Sequence, residues 1–216
     1  MNPYPINLKL KGKQVVVVGG GKVAYRKLKR LLSTKAKIDL ISPQLKSKTD
    51  QLIISNRINY KERKFLPHDI EDAFLVIAAT DNKEVNHKIA QLASEKNILV
   101  NVVDNLELST FTVPAKISQG DLLLTVATGG NLPALSRVIK ERLISQFGTE
   151  FDLFLELMGQ IRPLILNQIE AEERRKKIFR DLADLELIDL LRKDWKSGIK
   201  KLKDRLPVEI ADKLNY

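Results

Sequence analysis

The chain has 216 residues, 44% hydrophobic and 30% charged, with a formal charge of +10. That length accommodates one large domain, or one medium domain with a small annex, and the lack of cysteine excludes disulfides, iron–sulfur clusters and thiolate zinc sites. No apolar run reaches the ~20 residues of a membrane helix, and aromatics at 6%, without basic–aromatic interleaving, argue against a nucleic-acid partner.

The amino-terminal Met1-Asn2-Pro3-Tyr4-Pro5 is followed by no apolar segment of the kind an export signal needs, so a cytoplasmic address is expected. Residues 1–38 hold ten Lys or Arg and no acid before Asp39. Such an excess suits polyanionic partners, whether nucleic acid, an anionic membrane or a small molecule rich in carboxylates or phosphates, or is simply a solvated basic surface.

Val15–Val18, a β-branched run between Lys13-Gln14 and three glycines, predicts a buried parallel strand. Val23, Ala24, Leu28, Leu31 and Leu32 then mark a helix. Ile38–Ile41 is a second strand, stopped at Ser42-Pro43. Ile58–Tyr60 is a short third strand and Phe74–Ala78 a fourth. A helix over Glu84–Lys96 leads to a strand at Leu99–Val103. Strands alternating with helices indicate an α/β domain on a parallel sheet, placed at 1–113.

The pattern changes after Asp104. Thr110–Ile117 and Leu122–Ala127, joined by Ser118-Gln119-Gly120-Asp121, read as an antiparallel hairpin. A helix beginning near Pro133 carries Leu135, Val138, Ile139, Leu143 and Phe147 as its apolar stripe and stops at Gly148. Hairpin and helix make a region 114–148. From 149 to 216 the chain reads as helices, with stripes at Phe151, Phe154, Leu155, Met158 and Ile161, and at Leu182, Leu185, Ile188 and Leu191. Arg162-Pro163 predicts a break or kink. His68 and His87 stand too far apart in sequence to suggest a metal site, and none is expected.

The sharpest local feature is Gly19-Gly20-Gly21-Lys22-Val23-Ala24 directly after the first strand. As G-x-G-x-x-A, Gly19 permits the tight turn, Gly21 lets a pyrophosphate approach the backbone, and Ala24 allows helix and strand to pack closely. The helix N-terminus then turns free N–H groups and partial positive charge toward the phosphates. This is the context of a Rossmann dinucleotide site; a tight turn without ligand is the plainer alternative. The acid that usually holds the ribose at the end of the second strand is missing. Ser42-Pro43-Gln44 stands there instead, and no arginine is placed for a 2′-phosphate.

Val17-Val18-Gly19-Gly20-Gly21-Lys22-Val23-Ala24-Tyr25-Arg26-Lys27 resembles the opening of the precorrin-2 dehydrogenase family, which includes the N-terminal module of siroheme synthases. Four further segments are similar and in order: Ile41-Ser42-Pro43; Ala78-Ala79-Thr80-Asp81 with Val85-Asn86; Asn101-Val102-Val103-Asp104; and Thr128-Gly129-Gly130-Asn131-Leu132-Pro133. The resemblance spans about residues 6–147 and is loose over 148–216. It implies a Rossmann-like domain, a small dimerisation region over 114–148 and a helical C-terminal domain over 149–216. It also implies NAD-dependent oxidation of precorrin-2 to sirohydrochlorin by a homodimer, and in some members iron insertion. The fused methyltransferase of long members is not expected in so short a chain.

Asp104, after the last parallel strand, is the expected catalytic base, a position where the resemblance also implies an active-site aspartate. Cofactor contacts are expected from Gly19, Gly20, Gly21, Lys22 and Val23 at the pyrophosphate, from Ser42, Pro43 and Gln44 at the ribose, from Thr80 at the adenine side and from Asn101 at the nicotinamide end. Thr128, Gly129 and Gly130, before a helix N-terminus, are candidates for the substrate carboxylates, as is Arg137, for which a solvated helix face is the alternative. A non-enzymatic NAD-sensing module whose helical tail carries the output stays open beside the enzyme.

Overall fold

The computed structural model describes residues 3–214. Met1 and Asn2, which open the stretch read for an export signal, lie outside the described residues, as do Asn215 and Tyr216. The chain divides into two compact units, the first ending at Val113 and the second starting at Pro114.

The first unit alternates strand and helix: β1 (Gln14–Val18), α1 (Lys22–Leu32), β2 (Lys37–Ile41), α2 (Ser47–Ile54), β3 (Ile58–Lys61), β4 (Leu75–Ala78), α3 (Lys83–Glu95) and β5 (Leu99–Val102). The five strands form one parallel sheet in the order β3-β2-β1-β4-β5, with Val15 opposite both Ile38 and Leu75, and Leu75 opposite Leu99. This is the Rossmann-like α/β architecture that the alternation indicated.

Val15–Val18 are all essentially inaccessible, because helices cover both sheet faces. Val15, Val17, Leu40 and Ile77 pack with Ala24 and Leu28 on the α1 side. Val16, Val18, Val76 and Val100 pack with Ile89 and Ala93 on the α3 side. Each fully buried leucine such as Leu28 contributes roughly 1.5–3 kcal/mol.

The outer edge of β5 is closed by side chains rather than by another strand. The Val100 N–H donates to Thr110 Oγ1 at 2.9 Å and the Val102 N–H to Ser109 Oγ at 2.9 Å, while the Thr110 N–H returns to the Val100 carbonyl at 2.9 Å. Residues 110–114 are therefore not part of the hairpin strand expected over Thr110–Ile117, which is shorter, β6 (Ala115–Gln119).

In the second unit β6 pairs antiparallel with β7 (Leu122–Val126) across Gly120-Asp121, and Gly120 supplies the positive φ of +54° that the tight turn requires. Helices α4 (Pro133–Gln146), α5 (Glu150–Gln168), α6 (Glu172–Leu182), α7 (Leu185–Lys193), α8 (Trp195–Asp204) and α9 (Val208–Ala211) follow. Phe154, Leu157, Ile161, Ile165, Leu182, Leu187, Leu202 and Ile210 form their core.

Two helical readings are corrected. Helix α5 runs unbroken through Pro163. Buried Ile161 and Ile165 hold the helix from either side of the proline, so the expected break does not occur. The stripe from Leu182 to Leu191 is split between α6 and α7 by Ala183-Asp184, with Asp184 capping α7 by accepting the Glu186 N–H at 2.9 Å. The stripe of α4 is not buried either: Ser136 is its one buried residue, while Leu135 and Val138 are exposed. Among the described residues no helix is long and apolar enough to cross a membrane.

Candidate cofactor site and active site

The turn between β1 and α1 gives each glycine a separate task. Gly19 has φ +118°, and a Cβ there would drive into the backbone carbonyl of Ala79. A Cβ on Gly20 would lie 2.8 Å from Ser42 Oγ and closer still to the Gln44 carbonyl. Gly21 differs: nothing lies within 4 Å of the Cβ position. It is the N-cap of α1, no side chain caps that helix, and its first turn holds no acid. Open space over unfilled amides at a helix N-terminus fits the diphosphate of a dinucleotide. Lys22 is exposed at this mouth, Val23 is half-buried, and Ala24 is fully buried against the sheet.

Ser42, Pro43 and Gln44 form the wall beside Gly20. The Ser42 hydroxyl is buried and donates to the Gln44 carbonyl at 2.6 Å, so it shapes this wall from within, while Pro43 and Gln44 are exposed. The wall is tied to the turn through the Gly20 carbonyl, which accepts from the Lys46 N–H and from Thr49 Oγ1, each at 3.1 Å. Asp39 is not available to a ribose. It lies mid-strand, 3.2 Å from Lys61 Nζ.

Thr80 follows β4 and Asp104 follows β5, at the same carboxyl edge of the sheet as Gly19–Gly21. They are joined by Asn86 of α3, which is 1% exposed. Its Oδ1 accepts from Thr80 Oγ1 at 2.7 Å and from the Thr80 N–H at 3.3 Å. Its Nδ2 donates to the Thr80 carbonyl at 3.1 Å and to Asp104 Oδ1 at 3.4 Å. Asp104 itself is exposed and lines a cleft of about 650 Å³ with Asn86, His87, Lys83 and Leu108. A larger cleft, about 850 Å³, opens at the opposite, amino end of the strands around Lys13, Lys37, Asp39 and Asp69.

Asn101 is 5% exposed within β5. Its Oδ1 accepts from Lys27 Nζ of α1 at 2.7 Å and its Nδ2 donates to the Phe111 carbonyl at 3.2 Å. The carboxamide thus bonds once at each end inside the protein, tying β5 to α1 and to the segment that follows β5. Burial, reinforced by Arg30 and Arg26, pulls the Lys27 ammonium down to about 8.

Thr128, Gly129, Gly130 and Arg137 lie in the second unit. Gly129 and Gly130 have φ +61° and +86°, and Thr128 Oγ1 donates to the Leu132 carbonyl at 3.0 Å, so the turn before α4 is internally braced. Arg137 is exposed and pairs with Glu141 at 2.9 Å on the same helix face. Among the described residues no three His, Cys, Asp or Glu side chains converge as a metal site.

Asn86, Thr49 and Lys27 were given no site role by sequence reasoning. A signal existed for Asn86: with Ile89, Ala90 and Ala93 it completes the buried stripe of α3, so a polar residue stands where an apolar one belongs.

Residues 6–115 match the family described as "Putative NAD(P)-binding". Siroheme synthase 2 of Aeromonas hydrophila is 34% identical over 208 residues, covering 95% of this chain and 44% of that protein. The siroheme synthase of Vesicomyosocius okutanii is 32% identical over 182 residues, covering 84% of this chain and 39% of its own length. The chain thus spans less than half the length of these curated relatives. A solved structure titled SirC, precorrin-2 dehydrogenase, superposes with a TM-score of 0.77 at 25% identity, over 94% of this chain and 98% of that one. The chain belongs to the NAD(P)-binding family of the siroheme synthases and precorrin-2 dehydrogenases that its motifs resemble.

Proposed function

We propose that the chain is a cytoplasmic, NAD-dependent precorrin-2 dehydrogenase that oxidises precorrin-2 to sirohydrochlorin in siroheme biosynthesis and works as a homodimer. The observation that carries the reading is the open cradle over Gly21 at the same sheet edge as the exposed carboxylate of Asp104. Likeness to siroheme synthases and to a precorrin-2 dehydrogenase of matching length supports the substrate. The reaction draws on the NAD⁺ pool of the cytoplasm, which is the ground for the address.

The backbone of Gly19–Gly21 with Lys22 and Val23 would hold the pyrophosphate, the wall of Ser42, Pro43 and Gln44 the ribose, and Thr80 the adenine side. Bound NAD⁺ supplies a hydride acceptor. Asp104 takes up the proton that leaves the substrate as the new double bond forms, so that precorrin-2 and NAD⁺ give sirohydrochlorin, NADH and a proton. The +10 charge draws a substrate with many carboxylates toward the protein. The turn at Thr128, Gly129 and Gly130, with Arg137, is the candidate seat for those carboxylates.

Exposed Leu123, Leu132, Leu135 and Val138, from the hairpin, α4 and the turn between them, support a second copy as the cover for these apolar side chains.

The test is NADH formation from precorrin-2 and NAD⁺ without oxygen, with NADP⁺ in parallel, for the wild type and Asp104→Ala. Turnover by the wild type, slowed at least tenfold in the variant, is expected. NAD⁺ binding without NADH would leave the sensing module instead. Adding Fe²⁺ or Co²⁺ to the same mixture reads whether metal insertion, the second activity raised by the resemblance, also occurs.

A further inference from the structure

We propose that Asn86 is a positioning residue that sets Asp104 and Thr80 relative to each other from a single buried carboxamide. The inference rests on the reading of Asp104 as the proton acceptor. Asn86 uses its full hydrogen-bonding capacity, two acceptances at Oδ1 and two donations from Nδ2. Three of the four bonds go to Thr80, at the end of β4; the fourth crosses to Asp104, beyond the end of β5.

Helix architecture does not account for this arrangement. The N-cap of α3 is Asn82, which accepts the Val85 N–H at 3.1 Å and satisfies the helix start without Asn86. Nor is Asp104 fixed by anything else: among the described residues Asn86 is the one hydrogen-bond partner of its side chain. A carboxylate on an exposed turn, held from below by one donor, keeps its other oxygen free for a proton. Of the natural side chains of that length, only asparagine offers both an acceptor for Thr80 and two donors. Aspartate keeps the acceptor and brings a second negative charge against Asp104. Leucine keeps neither.

Asn86→Asp and Asn86→Ser, each checked for native melting, are compared with Asp104→Asn in a double-mutant cycle. Each Asn86 variant is expected to lower kcat about tenfold and, through Thr80, to raise KM for NAD⁺, with each double variant no slower in kcat than Asp104→Asn alone. Losses in kcat that multiply in the double variants, or an unchanged kcat in the Asn86 variants, would overturn the proposal. A second reading needs no turnover: the Asn86 side-chain amide protons, followed by ¹H–¹⁵N NMR, should exchange slowly in the wild type and shift in Asp104→Asn. Amide protons that ignore the Asp104 substitution would sink the tether. A wild type that makes no NADH but shows the shift would instead sink the dehydrogenase reading, and with it the catalytic use of the tether.

Discussion

At the scale of single residues, the glycine turn separates two demands that the motif merges. Gly19 is needed by the fold, since its φ of +118° and the Ala79 carbonyl beside it exclude any Cβ. Gly21 is needed by the ligand, since its backbone is ordinary (φ −84°) and the space beside it is open. Gly19→Ala is therefore expected to destabilise the protein by about 1–3 kcal/mol. Gly21→Ala should cost about 0.5–1 kcal/mol, since glycine is the better N-cap, while weakening NAD⁺ roughly tenfold through steric contact with the diphosphate. Thermal melts and calorimetry read the two effects, and a Gly21→Ala protein that binds NAD⁺ like the wild type would remove the cradle from the site. The three glycines were legible in the sequence because a turn with no Cβ has few other uses. Asn86 was legible only as a polar residue in a buried stripe; its partners were not, because Thr80 and Asp104 arrive beside it from the ends of two strands, which no local spacing encodes.

At the scale of elements, periodicity identified the parallel strands because Val15–Val18 and Leu75–Ala78 are buried on both faces and admit no polar residue. It was weaker where a residue's partner lies outside its own element. Thr110 looked like the start of a β-branched strand, yet its hydroxyl is spent on the Val100 N–H. Pro163 looked like a break, yet Ile161 and Ile165, buried on either side of it, hold the helix in one piece. The apolar stripe of α4 was legible as a stripe but not as to what covers it. With Val138 at 60% exposure and Leu135 at 43%, that face is not filled by its own chain. Val138→Glu is expected to leave the melting of the helical core unchanged and to convert a dimer to a monomer in sedimentation equilibrium. A wild-type monomer at micromolar concentration would contradict the second copy.

At the scale of the whole molecule, the surplus of 37 basic over 27 acidic residues makes the response to acid depend on the few carboxylates that are firmly engaged. Asp69 is foremost. Burial of its carboxyl pushes it up, but Arg63 grips both oxygens at 2.6 and 2.7 Å, the Leu66 N–H donates at 2.8 Å and Lys61 stands at 3.4 Å, and together they hold it down at about 2, against an ordinary 3.8. A carboxylate more acidic in the folded state stabilises it above the unfolded value, and that contribution disappears as pH falls from about 4 toward 2. The wild type should lose about 2 kcal/mol across that window. Asp69→Asn, less stable at neutral pH, should lack this loss in acid-unfolding curves, and parallel curves for the two proteins would refute the assignment.

The hydroxyl seal on β5 also has a meaning for colloidal behaviour. With the Val100 and Val102 amides already occupied by Thr110 and Ser109, a foreign chain finds no vacant ladder to extend along that flank. The route by which a naked sheet border seeds fibrils is thereby shut on this flank by two small polar side chains.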